Sequence, residues 1–180
     1  MNLILIGYRG TGKSTVARIL ASRLGWETVS TDALIIERAK LPIPEIVEKF
    51  GWDYFRDLET TVCQELKEKD HLVIDTGGGA ILREVNVQTL KPCGILCWLT
   101  ASIDTIRHRI AGDSQRPSLT SGKTFIEEIE EVLKERAPRY QAAADFTIAT
   151  DSVTADQVAD QVLDNFRESQ GTETSRLPNQ

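Results

Sequence analysis

Eight residues near the N-terminus, Gly7-Tyr8-Arg9-Gly10-Thr11-Gly12-Lys13-Ser14, have the spacing G-x-x-x-x-G-K-S, and that spacing can grip a polyphosphate. The glycines let successive backbone N–H groups turn inward around a phosphate, and the helix that starts there adds positive potential at its N-terminus. Lys13 can reach the β and γ oxygens, and the Ser14 hydroxyl can ligate Mg²⁺. An apolar run, Asn2 to Ile6, comes directly before the loop and an amphipathic stretch directly after it. That strand-loop-helix context separates a phosphate-binding loop from a glycine-rich turn. The expected nucleotide contacts are Gly10, Thr11, Gly12, Lys13, Ser14 and Thr15.

Other residue types that chemistry could use recur at the ends of apolar runs. His71-Leu72-Val73-Ile74-Asp75 ends in a carboxylate, which at such a position can hold Mg²⁺ directly or through water but is as often a turn-former. Three glycines follow, Gly77, Gly78 and Gly79, and their missing side chains would let a hydroxyl or carboxylate approach the backbone closely. Asp32 follows another run and could hydrogen-bond an acceptor hydroxyl or take its proton; the competing reading is an N-cap of the next helix. Arg56 and Glu59 share a helical face at i and i+3 and on their own read as a surface ion pair. Arg109, Arg116, Arg136 and Arg139 supply fixed positive charge to an otherwise acidic chain.

The elements that must position these groups are strands at Asn2 to Ile6, Glu27 to Ser30, His71 to Asp75, Gly94 to Leu99 and Asp145 to Ala149, the middle ones apolar enough to be covered on both faces. Between them lie segments of helical period, among them Lys13 to Leu24 and Thr124 to Arg136. This alternation is that of βα units around a mostly parallel sheet, an α/β class fold in a small three-layer sandwich. Ala111 to Lys123 is turn-rich and reads as a mobile lid. Glu168 to Gln180 lacks apolar period and reads as a disordered tail, leaving 1–167 as one domain.

The chain has 180 residues, 41% of them hydrophobic and 27% charged, with a formal net charge of −6. A core of ordinary size follows, no apolar run is long enough to span a bilayer, and an acidic balance disfavours a nucleic-acid partner. Cys63, Cys93 and Cys97 form no CxxC pair and no even framework, so they read as reduced core thiols of an intracellular protein. Met1 to Gly7 has no basic region or cleavage site of a signal peptide. The expected setting is cytoplasmic, without membrane or nucleic acid, and a monomer.

In order and spacing, the phosphate loop, Thr31-Asp32, Phe55-Arg56-x-x-Glu59, Gly77-Gly78-Gly79, Arg116-Pro117-Ser118-Leu119 and Glu135-Arg136-Ala137-Pro138-Arg139-Tyr140 resemble the shikimate kinase family from about Asn2 to Arg167. The resemblance implies a P-loop, nucleoside-monophosphate-kinase-like fold with strand order 2-3-1-4-5. It implies transfer of the γ-phosphoryl group of ATP, with Mg²⁺, to the 3-hydroxyl of shikimate, in the synthesis of chorismate and aromatic amino acids. It further implies that Asp32 contacts the shikimate hydroxyls, that Arg56 and Arg136 clamp the carboxylate, and that the glycines from Gly77 bond the acceptor. By the same match Arg116 is a lid arginine over the transferring phosphate, and Arg109 lies against adenine. Lys13, Asp32 and Arg116 are then the catalytic set.

The chain departs from the family where the usual Ile-Glu after the acidic motif reads Ile35-Ile36-Glu37, which shifts Glu37 by one position and gives it no role, and in the acidic motif itself. Members usually carry Asp-x-Asp after the second strand, the first carboxylate serving the Mg²⁺ shell, and here the residues are Ser30-Thr31-Asp32. Asp75, on another strand end, is the candidate to restore that charge, with Ser14, at the metal. Two other readings stay open: a gluconate-kinase-like enzyme, which should lack the triple glycine together with Phe55-Arg56 and Arg136, and a non-catalytic nucleotide-binding paralogue, supported by the lost acid at Ser30.

Overall fold

The computed structural model describes residues 1–110 and 125–174. Five parallel strands, β1 (Asn2–Ile6), β2 (Glu27–Ser30), β3 (Leu72–Asp75), β4 (Gly94–Thr100) and β5 (Phe146–Ala149), lie in the order β2-β3-β1-β4-β5. The five expected strands match these within one residue at each end, because a central parallel strand must be apolar on both faces and so stands out from its flanks.

Alternation along β1 shows how the layers are filled. Leu3 and Leu5 face a cluster with Val16, Ala17 and Leu20 of α1 (Lys13–Leu24) and with Val158, Val162 and Phe166 of α7 (Ala155–Thr174). Ile4 and Ile6 face the opposite cluster, with Ile35 of α2 (Thr31–Ala39), Val62 and Leu66 of α3 (Ile43–Leu66), and Tyr140 and Ala143 of α6 (Phe125–Ala143). Successive side chains of a strand point to opposite faces, so one short strand anchors both helical layers. Helices α4 (Glu84–Leu90) and α5 (Ile103–Ile110) complete the crossovers on either side of β4.

Three local features depart from the sequence expectations. Helix α6 does not stop at Arg136 but passes through Pro138 to Ala143, because Tyr140 and Ala143 are buried against the sheet and that burial outweighs the intrahelical bond proline cannot make. Helix α7 continues to Thr174, through the first residues of the expected tail: once a nucleus packed through Phe166 exists, each further residue adds a bond at little cost. Cys93 is not a core thiol. It lies in a 3₁₀ turn (Lys91–Cys93) ahead of β4, half-buried, and its thiol donates to the Thr89 carbonyl at 2.8 Å. Cys63 and Cys97 are buried, and burial pushes the Cys63 thiol up to about 12. The expected lid and Arg116 lie outside the described residues.

Two backbone positions shape the site. Gly51 interrupts α3 with φ of 83°, a region that side-chain-bearing residues enter only with strain; the break lets Ile43 before it and Trp52 and Phe55 after it line one cavity. Gly10, with φ of 79°, lies where a Cβ would come within 2.7 Å of the Ile110 side chain. The phosphate loop therefore packs flat against α5.

Candidate functional site

Ligand sites of open α/β sheets form at the C-terminal ends of the strands, and the ends of β1, β2 and β3 here open into two adjoining hollows. The first is a cleft lined by Gly10, Gly12, Lys13, Ser14, Thr15 and Asp75. Lys13 is the N-terminal residue of α1 and is only 7% exposed; its ammonium donates to the Gly7 and Tyr8 carbonyls at 2.9 and 3.0 Å. The Thr11 hydroxyl donates to the same Tyr8 carbonyl at 2.8 Å. The loop is therefore already closed around a buried cation at a helix N-terminus, an arrangement built for polyphosphate.

Opposite Lys13, the Ser14 hydroxyl donates to Asp75 Oδ2 at 2.5 Å. Asp75 is buried at the end of β3, and its strand partner in register is Ser30 of β2. Position 30, where the resemblance expects a carboxylate, thus has one beside it in register one strand over. Ser30 itself serves as the N-cap of α2, its side chain accepting from Ala33 N at 3.3 Å. That leaves Asp32 in the first turn of α2 and not at the cap, so the capping reading of Asp32 falls.

A hydroxyl and a carboxylate facing a phosphate cleft are the hard oxygen donors that Mg²⁺ takes, usually as one or two protein ligands completed by phosphate oxygens and water. Among the described residues no three His, Cys, Asp or Glu side chains gather as a metal cage. The donor set fits a cation brought in with a nucleotide.

A third hollow continues the cleft past Gly12, Thr15 and Val16 toward Val153 and Val158, with Arg109 on its wall. Arg109 donates to Thr150 Oγ1 and O at 2.9 and 2.8 Å and to the Gly10 carbonyl at 3.2 Å. Its guanidinium plane is therefore set by Thr150, which directly follows β5, and by the phosphate loop, as a stacking surface requires.

The acceptor-side hollow brings together Asp32, Arg56, Glu59, Gly77, Gly78, Gly79 and Arg136, groups that come from four separate segments of the chain. The surface ion-pair reading of Arg56 and Glu59 is wrong. Arg56 Nη1 meets Glu59 Oε2 at 2.7 Å with Glu59 fully buried, and the guanidinium stacks over the Trp52 and Phe55 rings at 5.4 and 5.1 Å. Arg136, 8% exposed, donates to the Gly78 carbonyl at 3.2 Å, and the Tyr140 hydroxyl donates to the same oxygen. Arg139, by contrast, turns away and donates to the Leu82 carbonyl at 2.8 Å.

The glycines are small because their neighbours are close. A Cβ on Gly77 would lie 2.5 Å from Asp32 Oδ1 and 3.0 Å from Glu59 Oε1; one on Gly79 would lie 2.2 Å from the Arg56 guanidinium. The Gly77 N–H is held by the buried Thr31 hydroxyl at 2.8 Å, and the Thr76 hydroxyl bonds the Leu5 carbonyl at 2.9 Å. Thr31, Trp52 and Tyr8 are site residues that sequence reasoning passed over. Only an unusual run of polar residues at strand ends, Ser30-Thr31 and Thr76, could have flagged the first.

Glu59 Oε1 is buried with no hydrogen-bond partner. Burial raises the Glu59 carboxyl above the ordinary range, outweighing the Arg56 cation that pulls it down. The folded protein then holds this proton more tightly than the unfolded chain, so the stability it contributes is full at low pH and is lost as pH rises through the folded value. Thermal unfolding of Glu59→Gln should show it: as pH rises from 4.5 to 8 the variant should gain in midpoint on the wild type, because it has no buried proton to lose. A constant difference across that range would mean that Glu59 is charged throughout.

Residues 9–167 match the family model described as Shikimate kinase. The shikimate kinase of Nitratidesulfovibrio vulgaris is 40% identical over 161 residues, covering 88% of this chain and 91% of the relative. That of Geobacter sulfurreducens is 40% identical over 169 residues, covering 94% and 92%. Among solved structures, shikimate kinase from Acinetobacter baumannii in complex with shikimate superposes with a TM-score of 0.86 at 35% identity, covering 98% of this chain and 95% of that one. The triple glycine, Arg56 and Arg136, the features that a gluconate-kinase-like enzyme should lack together, meet in one hollow beside the phosphate loop, and on sequence, fold and site alike the chain belongs to the shikimate kinase family.

Proposed function

We propose that the chain transfers the γ-phosphoryl group of ATP to the 3-hydroxyl of shikimate, giving shikimate 3-phosphate and ADP, in the cytoplasm and as a monomer. The observation that carries the reading is the shared wall of two hollows: a phosphate cleft with its buried lysine adjoins a hollow whose lining holds three arginines and two carboxylates. A small polyhydroxylated carboxylic acid matches the second hollow. Its carboxylate meets Arg56 and Arg136 as charge-assisted, fork-like contacts, and its ring hydroxyls meet Asp32 and the backbone from Gly77 to Gly79.

In the transfer, a bond forms between the acceptor oxygen and Pγ while the bond from Pγ to the β,γ-bridging oxygen of ATP breaks, and ADP departs with that oxygen. Asp32 orients the hydroxyl and accepts its proton. Lys13 and Arg116 neutralise the equatorial oxygens, and alignment supplies most of the remaining acceleration. Arg109 stacks on adenine, and Gly10, Thr11, Gly12 and Thr15 bind the phosphates. Ser14 and Asp75 would hold Mg²⁺, which when bound neutralises phosphate charge.

The test is ADP release, measured by a coupled assay with shikimate, quinate, gluconate and no acceptor, each with and without Mg²⁺. Release that depends on shikimate and on Mg²⁺ is expected; release with gluconate and not with shikimate would favour the gluconate-kinase-like reading, and no release with any acceptor the non-catalytic one. The relocated carboxylate has its own check. Asp75→Asn should raise the Mg²⁺ concentration for half-maximal turnover about tenfold, the loss of one charged ligand contact, and an unchanged Mg²⁺ dependence would return the metal to other groups.

A further inference from the structure

Arg9 occupies a variable position inside the phosphate-loop motif, and nothing in the motif demands an arginine there. Yet among the described residues it is the one residue common to both linings, bordering the phosphate cleft beside Lys13 and Ser14 and the acceptor hollow beside Asp32. A phosphoryl group moving from ATP to an acceptor has to cross that boundary. The guanidinium is not loose: Nη2 meets Glu128 Oε1 of α6 at 2.9 Å, Nε donates to the Tyr8 hydroxyl at 3.2 Å, and the group lies over the Tyr8 ring at 5.6 Å. Both members of the ion pair are nearly buried, with side-chain exposures of 12% and 4%. A carboxylate so enclosed is strongly destabilised unless its partner stays in place, so Glu128 sets the plane of the fork and holds it.

Resting on the proposed acceptor reading, we propose that Arg9 is a catalytic residue that contacts the phosphoryl group in transit, with Glu128 as its positioning residue. The charge Arg9 meets is greatest on the equatorial oxygens midway between the two hollows, where the phosphoryl has left the cleft and not yet joined the acceptor. An interaction stronger there than in either bound state lowers the barrier without tightening ground-state binding. Arg9 exchanges no proton in the step; the bonds made and broken are those given above. Its place on a rigid loop distinguishes it from any group that must move in to act.

The experiment is steady-state kinetics of the full chain and of Arg9→Ala, Arg9→Lys and Glu128→Gln, with ATP, Mg²⁺ and shikimate. Arg9→Ala is expected to lose about 100-fold in kcat with each KM changed less than about threefold, the low end of the range for removing one preorganised donor. Guanidinium ion at millimolar concentration should restore part of that kcat, and should not restore the unfolding midpoint. Arg9→Lys, which can still meet Glu128, should lose about tenfold, and it decides the matter if the alanine variant does not fold. Glu128→Gln should lose about fivefold in kcat, and should add nothing in the Arg9→Ala background, since one residue acts through the other. Wild-type kcat in Arg9→Lys or Arg9→Ala, or a loss confined to the KM values and the midpoint, would overturn the proposal and leave a purely structural tie between the phosphate loop and α6. The wild-type chain in the same assay separates the two failures: no shikimate-dependent ADP release from it overturns the proposed function, and this inference with it.

Discussion

Replacing Lys13 with Met is expected to lower shikimate phosphorylation by about 10³-fold or more, since removal of one preorganised donor at a developing charge costs 10²–10³ and Lys13 adds a full charge to its hydrogen bonds. The geometry makes a second outcome equally specific. Lys13 sits among the Gly7 and Tyr8 carbonyls, so the methionine variant loses a buried charge, which favours the fold, and takes the lysine donor from both carbonyls, which opposes it. Because the Thr11 hydroxyl still holds the Tyr8 carbonyl, only that of Gly7 loses its donor; the contributions offset each other, and the unfolding midpoint without ligand should move by less than about 4 °C, equivalent to 1–2 kcal/mol in a chain of this length. Stabilisation by ATP with Mg²⁺ should vanish, because a ligand stabilises the fold by RT ln(1 + [L]/Kd), which falls to nothing once Kd far exceeds the ligand concentration. Thermal scans with and without nucleotide measure both. A variant that keeps its nucleotide-induced shift while losing turnover would place Lys13 at the transfer step alone; one that keeps turnover would remove the cleft from the reaction.

Legibility in the sequence divides along sequence distance. The strands, the phosphate loop and α1 are written in local pattern: Leu3 to Ile6 is apolar in both parities because both faces are covered, and Gly12 and Lys13 stand where a helix must begin. Groups that the chain brings together from afar were not legible. Arg9 and Glu128 are 119 positions apart, and nothing in either neighbourhood announces the other. Arg56 and Glu59 show the same point inversely. Their i, i+3 spacing is a local signal of a solvated pair, and only the packing of α3 against the triple-glycine turn buries it. Even the departure at Ser30 needed register to interpret, since the strand pairing is what sets Asp75 beside it. Helix ends failed for a related reason. Pro138 and the polar run after Arg167 argue locally for termination, and tertiary burial or simple propagation carries each helix onward.

The same buried arginines carry the second large expectation. Arg136→Met should raise the KM for shikimate about 100-fold while moving the KM for ATP less than about twofold, the effect of withdrawing one charge-assisted, fork-like contact worth roughly 1.5–3 kcal/mol. Selectivity of the loss follows from position: Arg136 lines the acceptor hollow and is absent from the lining of the phosphate cleft. Methionine matches the stem of arginine in bulk, and Tyr140 still holds the Gly78 carbonyl, so the turn that Arg136 also touches keeps a donor. Electrostatics point the same way. Arg56 already meets Glu59 at 2.7 Å, so with Arg136 removed Arg56 alone has to hold the ligand's carboxylate against the repulsion of Asp32. Initial-rate measurements over both substrates decide the issue, with quinate as a second carboxylic acid. Parallel rises in both KM values would mean that Arg136 shapes the whole crevice, and an unchanged shikimate KM would take the carboxylate away from this corner altogether.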